Sequence, residues 1–293
     1  MTTASPETGA TIVEQPAPPK PRRRPRRSIW ERIPRFVTVP LFAAFLVLLW
    51  QCAVWFEWAS GLVLPPPADV ARETADIVGS IVSGEYVWDS LWVTTKEIII
   101  GLVLAAIAGI SLGVISAETA FGRQVLQPFL VGLYAAPKVA FAPIFVAWLG
   151  FDIWPKVLMV VVIAFFPLLV DTAAGLAALD PNQDKLFRSM RASRRQTFLK
   201  LKLNNALPFV FAGLKTASVL AVIGAIVGEF LGGGTGLGAQ IRISSSRLAM
   251  DRVFAYVIVL SVMAYVLYAI VAIVERHVVF WRKTGFVPDG IDI

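Results

Sequence analysis

The sequence predicts an all-α, polytopic membrane protein with six transmembrane helices and one amphipathic cytoplasmic loop. Three observations carry this. Of 293 residues, 57% are hydrophobic and only 16% charged, against about 25% charged in a soluble domain. The mean hydropathy is +0.70. The charges are bunched, so long uncharged blocks separate them, each near the ~20 residues that a helix needs to cross the hydrocarbon.

Residues 1–30 come first, rich in Pro, Thr, Ala and Arg, and are expected to be a disordered basic tail. The run "PRRRPRRS" (21–28) directly precedes the first apolar block. There, basic residues set orientation and touch anionic headgroups of the bilayer, so no nucleic-acid partner is expected. The apolar run starts too late for a cleaved signal peptide. Six blocks then qualify as spans, with residues 31–282 as the membrane domain: Phe36–Phe56, Val93–Ile115, Val125–Leu149, Trp154–Ala174, Phe209–Leu231 and Phe254–Val274. Pro137 and Pro143 should kink or interrupt the third. Residues 283–293 form a short C-terminal tail.

Lys and Arg set the orientation. With both termini cytoplasmic, the inside segments hold nineteen of them and the outside segments four. The first outside segment carries Glu57, Asp69, Glu73, Asp76, Glu85 and Asp89 after and around a rigid Pro65-Pro66-Pro67, and is expected to form short interfacial helices. The protein is thus expected to be a multi-pass membrane protein with both termini in the cytoplasm.

Seven of the inside cations lie between the fourth and fifth spans. At about 100° per residue, Leu186, Met190, Ser193, Thr197 and Leu201 share one face. Arg188, Arg191, Arg195 and Lys202 share the opposite one, with Phe187 and Phe198 at the border. Asp180 can cap a helix that has Pro181 as its first residue and Gln183 as capping-box partner. Asn204, Asn205 and Pro208 should end the pattern before the fifth span. Two roles fit this loop, residues 180–208: a helix lying on the inner leaflet, or a docking element for a soluble partner.

Other candidates are few. Cys52 is single and excludes an intramolecular disulfide and any cysteine metal site. His277 is the one histidine and is expected at the interface. No cluster of His, Cys or paired carboxylates in the spans indicates an enzyme, and no catalytic, metal or cofactor-binding residue is expected. Gly234–Ala239 matches G-x-G-x-x-A, but it follows a membrane span rather than a strand, so it reads as a turn and not a nucleotide site. No G-x-x-x-x-G-K-[ST] occurs, so this chain has no P-loop and any ATP is bound elsewhere. Ala105, Gly109 and Gly113 line one face of the second span, and Gly224 and Gly228 one face of the fifth, letting helices approach within one subunit. Lys138, between Pro137 and Pro143, and Glu229 are the ionisable candidates for a translocation path; Asp171 and Lys215 are expected to snorkel to the interface.

Several stretches resemble the permease subunits of binding-protein-dependent ABC importers, in the nitrate/sulfonate/taurine branch. They are Ala192-Ser193-Arg194, Gln196-Thr197-Phe198 and Ala206-Leu207-Pro208 in the loop, with "LPPPADV" (64–70), "APKVAFAPIFVAWLGF" (136–151), "FFPLLVDTAAGL" (165–176) and "IGAIVGEFLGGGTGLG" (223–238) beyond it. The resemblance covers roughly residues 36–282. It implies a homodimer that encloses the path, two cytoplasmic ATPase subunits, and a periplasmic or lipid-anchored solute-binding protein. Leu186, Phe187, Arg188, Met190, Arg191, Ala192, Ser193, Arg194, Ala206, Leu207 and Pro208 would then form the ATPase-coupling loop. The implied solute is a sulfonate, taurine or nitrate, with a thiamine-pyrimidine precursor or riboflavin as the alternative. Two positions depart from the family pattern. Lys185-Leu186-Phe187 stands where the family has Glu-Ala-Ala, and Arg191 where it has a Gly that allows a tight bend, which an Arg is not expected to make. These departures predict a more acidic groove on the ATPase. A rival from another class is a secondary transporter or channel, which predicts inverted repeats and a midplane site rich in charge; neither is evident.

Overall fold

A computed structural model describes residues 35–281 except 59 and 85. The tails at 1–30 and 283–293, and Glu85, lie outside the described residues. Among those residues every regular element is helical. The chain divides after Leu49 into two units. Most of α1 (Arg35–Trp55) belongs to the first, an apolar helix with Pro40 inside it.

The second unit is built around α6 (Ile153–Ala177). It is flanked by α3 (Tyr86–Glu118) on one side and α9 (Leu203–Gly232) on the other, and glycines set how close they come. A Cβ on Gly101 would overlap Val160, and one on Gly109 or Gly113 would meet the α6 backbone near Phe165, Leu169 and Thr172. From the other side, Gly224 sits against Val160 and Gly228 against Lys156. Both small-residue stripes therefore pack within one subunit, as expected from the sequence, with Gly101 extending the first. Ile98, Ala105, Val160, Ala164, Leu168, Ala217 and Ala221 join them in the main core.

The outer shell follows. The Pro65–Pro67 turn leads into one 17-residue helix, α2 (Pro67–Ser83), rather than several short ones. It is tied to α11 (Met250–Val278) by an ion pair of Glu73 with Arg252. Trp50 donates its indole N–H to the Pro65 carbonyl at 3.1 Å and lies 5.4 Å from the Phe254 ring.

Among the described residues, five helical stretches are long and apolar enough to cross a membrane, and a sixth span results if the bent third segment counts as one. That segment runs from a π-helical turn at Gly122–Leu126 through α4 (Gln127–Tyr134), a break, a 3-10 turn at Lys138–Phe141 and α5 (Ala142–Leu149), turning by 89°. Pro137 caps the 3-10 turn and Pro143 lies in the first turn of α5, where its missing N–H costs nothing.

The fifth span differs from its sequence expectation. Asn204, Asn205 and Pro208 do not end the preceding helix; the helical path is continuous over Arg194–Gly232, 39 residues, or about 58 Å at 1.5 Å per residue. Pro208 sits inside α9, a position membrane helices tolerate. Asn205 instead donates from Nδ2 to the Gly175 and Ala178 carbonyls at 3.2 Å each, capping the end of α6. Lys215 is not a free snorkelling cation: it pairs with Glu275 of α11 at 2.7 Å. Asp171 is half-buried beside Gly213.

Candidate functional site

Three groups of residues define the candidate site: a loop at the basic end of the bundle, the break in the third span, and a charge cluster at the opposite end.

The loop begins with α7 (Pro181–Ser189). The Asp180 carboxylate accepts from the Asn182 N–H at 2.8 Å, and Pro181 opens the helix. Gln183 takes no part in a capping box; the box forms downstream in α8 (Arg194–Thr197). There Ser193 accepts from the Gln196 N–H and the Gln196 side chain accepts from the Ser193 N–H. Between the two helices the Ala192 N–H reaches the Phe187 carbonyl at 3.0 Å and the Arg191 N–H that of Arg188 at 2.9 Å. This is a Schellman ending, whose left-handed position normally takes glycine. Arg191 occupies it, with φ +54°. The expectation that Arg would not make the bend is therefore corrected: Arg191 makes it, in a conformation costing an L-residue about 1–2 kcal/mol.

The two helices leave apolar side chains uncovered. Leu186 is 57% exposed, Met190 60% and Leu199 46%, while Phe187 is half-buried. Arg188 pairs with Asp184 at 2.7 Å. A π-helical turn, Phe198–Lys202, joins α8 to α9, and Lys202 bonds both oxygens of Glu118 at the end of α3, at 2.8 and 2.9 Å. Arg123 donates to the Ala117 carbonyl at 2.6 Å. Among these groups opens a polar cavity of about 620 Å³, with Arg123, Arg188, Arg194 and Lys202 against Asp184 and Glu118. Ala206, by contrast, is buried at the Gly175 crossing, and Leu207 packs with Phe211, Val271 and Val279. With half-buried Pro208, they belong to the span rather than to the exposed loop.

In the broken span, the Lys138 ammonium lies 4.2 Å from the Tyr134 ring centroid and 4.9 Å from that of Phe166. Among the described residues it makes no ion pair. A cavity of about 380 Å³ extends from Tyr134 and Phe166 along α6 toward Ser116 and Ala177. A second, about 270 Å³, extends from Lys138 and Phe166 toward Trp148.

The opposite end holds a cluster the sequence did not disclose. Glu97, Lys156 and Glu229 are 0%, 4% and 0% exposed. Lys156 meets Glu97 at 3.0 Å, as an ion pair without a well-directed hydrogen bond, and donates to the Thr235 carbonyl at 3.3 Å. Glu229 accepts from the Thr94 hydroxyl at 2.6 Å and from the backbone N–H groups of Gly238 and Ala239. Those two amides open α10 (Leu237–Ser246), so the carboxylate of one helix caps the positive end of the next. Gly236, at φ +150°, and Gly238 stand where any Cβ would overlap the Glu229 side chain. The glycine motif at 234–239 is thus a seat for a carboxylate. Glu229 is consumed by these bonds and does not line an open path, which corrects its candidacy. Two facts could have pointed here: Glu97 and Lys156 each interrupt an apolar block, near ends of spans that lie on the same side of the membrane.

A helical bundle with several membrane-crossing helices, a capped basic loop leaving apolar side chains uncovered, and a broken helix lined by cavities has the build of a transporter's membrane component. The chain belongs to the family of binding-protein-dependent transport system inner membrane components, whose pattern matches residues 101–280. It is a permease subunit of an ABC importer, as the resemblance implied. Among its relatives is the formylaminopyrimidine transport permease protein ThiX of Halalkalibacterium halodurans, 34% identical over 83% of this chain and 95% of that protein. The riboflavin transport system permease protein RibX of Chloroflexus aurantiacus is 30% identical over 84% and 90%. The putative aliphatic sulfonates transport permease protein SsuC of Bacillus subtilis is 27% identical over 83% and 87%.

Proposed function

We propose that two copies of this chain enclose the path of an importer that is driven by two cytoplasmic ATPase subunits and supplied by an external solute-binding protein. The loop over residues 180–199 docks on the ATPase. The observation that carries this is the uncovered apolar face of Leu186, Met190 and Leu199 on a capped basic element, the kind of face that a docking partner covers. The surplus of Arg and Lys in the adjacent cavity calls for an acidic groove on that partner. Both termini lie in the cytoplasm, following the excess of Lys and Arg on that side. ATP binding draws the ATPase pair together, the loop moves with it, and the continuous helix from Arg194 to Gly232 carries the motion through the membrane. The solute is a sulfonate, taurine or nitrate, or else a thiamine-pyrimidine precursor or riboflavin, in line with what is named for relatives, and it passes Lys138. This chain supplies the path and no chemistry.

Purification of the tagged protein from its native cells in mild detergent tests the docking. ATPase subunits should accompany the wild type in stoichiometric amount and be lost from Leu186→Asp with Met190→Asp. A wild-type chain that emerges alone, with Arg188→Glu and Arg195→Glu altering only its association with lipid, would make the loop a membrane-surface helix.

A further inference from the structure

The two cavities of the broken span share Phe166 as a wall, and the Tyr134 and Lys138 side chains stand at that junction. The second cavity is bounded by Phe141, Phe145, Trp148, Phe165 and Phe166, and among the described residues Lys138 is the one charged side chain that lines it. What such a space can accept follows from counting polar groups. A bare oxyanion such as nitrate carries an acceptor on every side, and one ammonium cannot satisfy them all; the remainder would face ring carbons, without the donors that water supplied. Taurine presents the same difficulty at both ends, because its ammonium would have to share the cavity with that of Lys138. A molecule with a flat apolar body and one acidic head brings as many oxygens to that ammonium, but its body gains from burial against the rings what a bare oxyanion cannot. Its ring can stack or meet edge-to-face with the phenyl and indole rings, and its head can replace a ring face as counter-group to Lys138. Cation–π contact is weaker than contact with a full counter-charge, so the exchange is favourable, and it is reversible because the rings remain in place to take the ammonium back.

We propose that the solute is an aromatic or heteroaromatic ring carrying a single acidic group, with its head at Lys138 and its ring among Phe141, Phe165 and Trp148. This rests on Lys138 lying on the translocation path, as proposed above.

The assembled importer in nanodiscs, with its ATPase subunits present, is photolabelled with 4-azidobenzenesulfonate, and the labelled peptides are mapped by mass spectrometry. Label should fall within residues 138–148 and 162–166. Excess benzenesulfonate should suppress it several-fold, and equal concentrations of nitrate or taurine should not. Lys138→Met should weaken labelling several-fold while Lys138→Arg keeps it, and co-purifying ATPase in both variants shows that they fold. Suppression by nitrate or taurine as effective as by benzenesulfonate overturns the aromatic class. Label that no competitor displaces shows a groove for lipid chains, and label only outside these segments shows that the ring binds elsewhere; either overturns the proposal. Absence of ATPase from the wild-type preparation bears on the importer assembly instead, and labelling reports on the cavity independently of it.

Discussion

The helical path from Arg194 to Gly232 joins two regions that treat charge in opposite ways. At one end Glu229 is fully buried, bonded to a hydroxyl and two backbone amides, with the Glu97–Lys156 pair beside it. At the other end the cations of residues 185–200 are largely exposed, among uncovered Leu186 and Met190. Buried ion pairs seldom add stability over an apolar core, yet breaking one is severe, because the survivor is left uncompensated. Exposed pairs are worth little to folding. The first region is therefore suited to fixing α3, α6, α9 and α10 as one block. The second is free to exchange its contacts with a partner that moves.

That contrast can be broken most directly at Lys156. Lys156→Met should cost about 3–5 kcal/mol, seen as a large fall in the thermal midpoint in detergent, and Glu97→Gln in the same chain should recover part of it. A loss under about 1 kcal/mol, the range of an exposed pair, would mean that the cluster is hydrated and the contrast false. Next come the glycines that bring the block together. Gly109→Leu or Gly228→Val would press a side chain into the α6 backbone, at about 1–3 kcal/mol for overpacking; retention of the wild-type midpoint would show that the helices can separate cheaply. At the opposite end, Arg191→Gly should stabilise the loop by about 1 kcal/mol through release of the left-handed strain, read as slower proteolysis there. Coupled ATPase rates separate the two roles of Arg191, since a rate that falls despite the gain in stability would assign its charge to the partner. The smallest effect is expected for Lys202→Ala, where a partly exposed pair with Glu118 should cost no more than about 1 kcal/mol.

Much of the architecture is legible in the amino-acid order. Spans announce themselves because hydrocarbon demands long uncharged stretches, and the break at Pro137 follows from proline's missing donor. The stripes at Ala105–Gly113 and Gly224–Gly228 mark close helix crossings for the same local reason. Continuation of the helix through Pro208 is less legible, since neighbouring helices relieve the proline's local penalty and Asn205 finds work capping α6. Arg191 was misread because its strain is held by a hydrogen-bonded helix ending on either side.

The sequence by itself determined the class of molecule, its apolar blocks, the place of the basic loop and the interruption at Lys138, since each depends on composition over a short window. Only the tertiary structure decided which charges meet. Glu97, Lys156, Thr94 and Glu229 come from three helices, and their pairing depends on the rotation and depth at which those helices pack. The same holds for Lys138 on the faces of Tyr134 and Phe166: a ring from the fourth span meets the ammonium where the third turns by 89°.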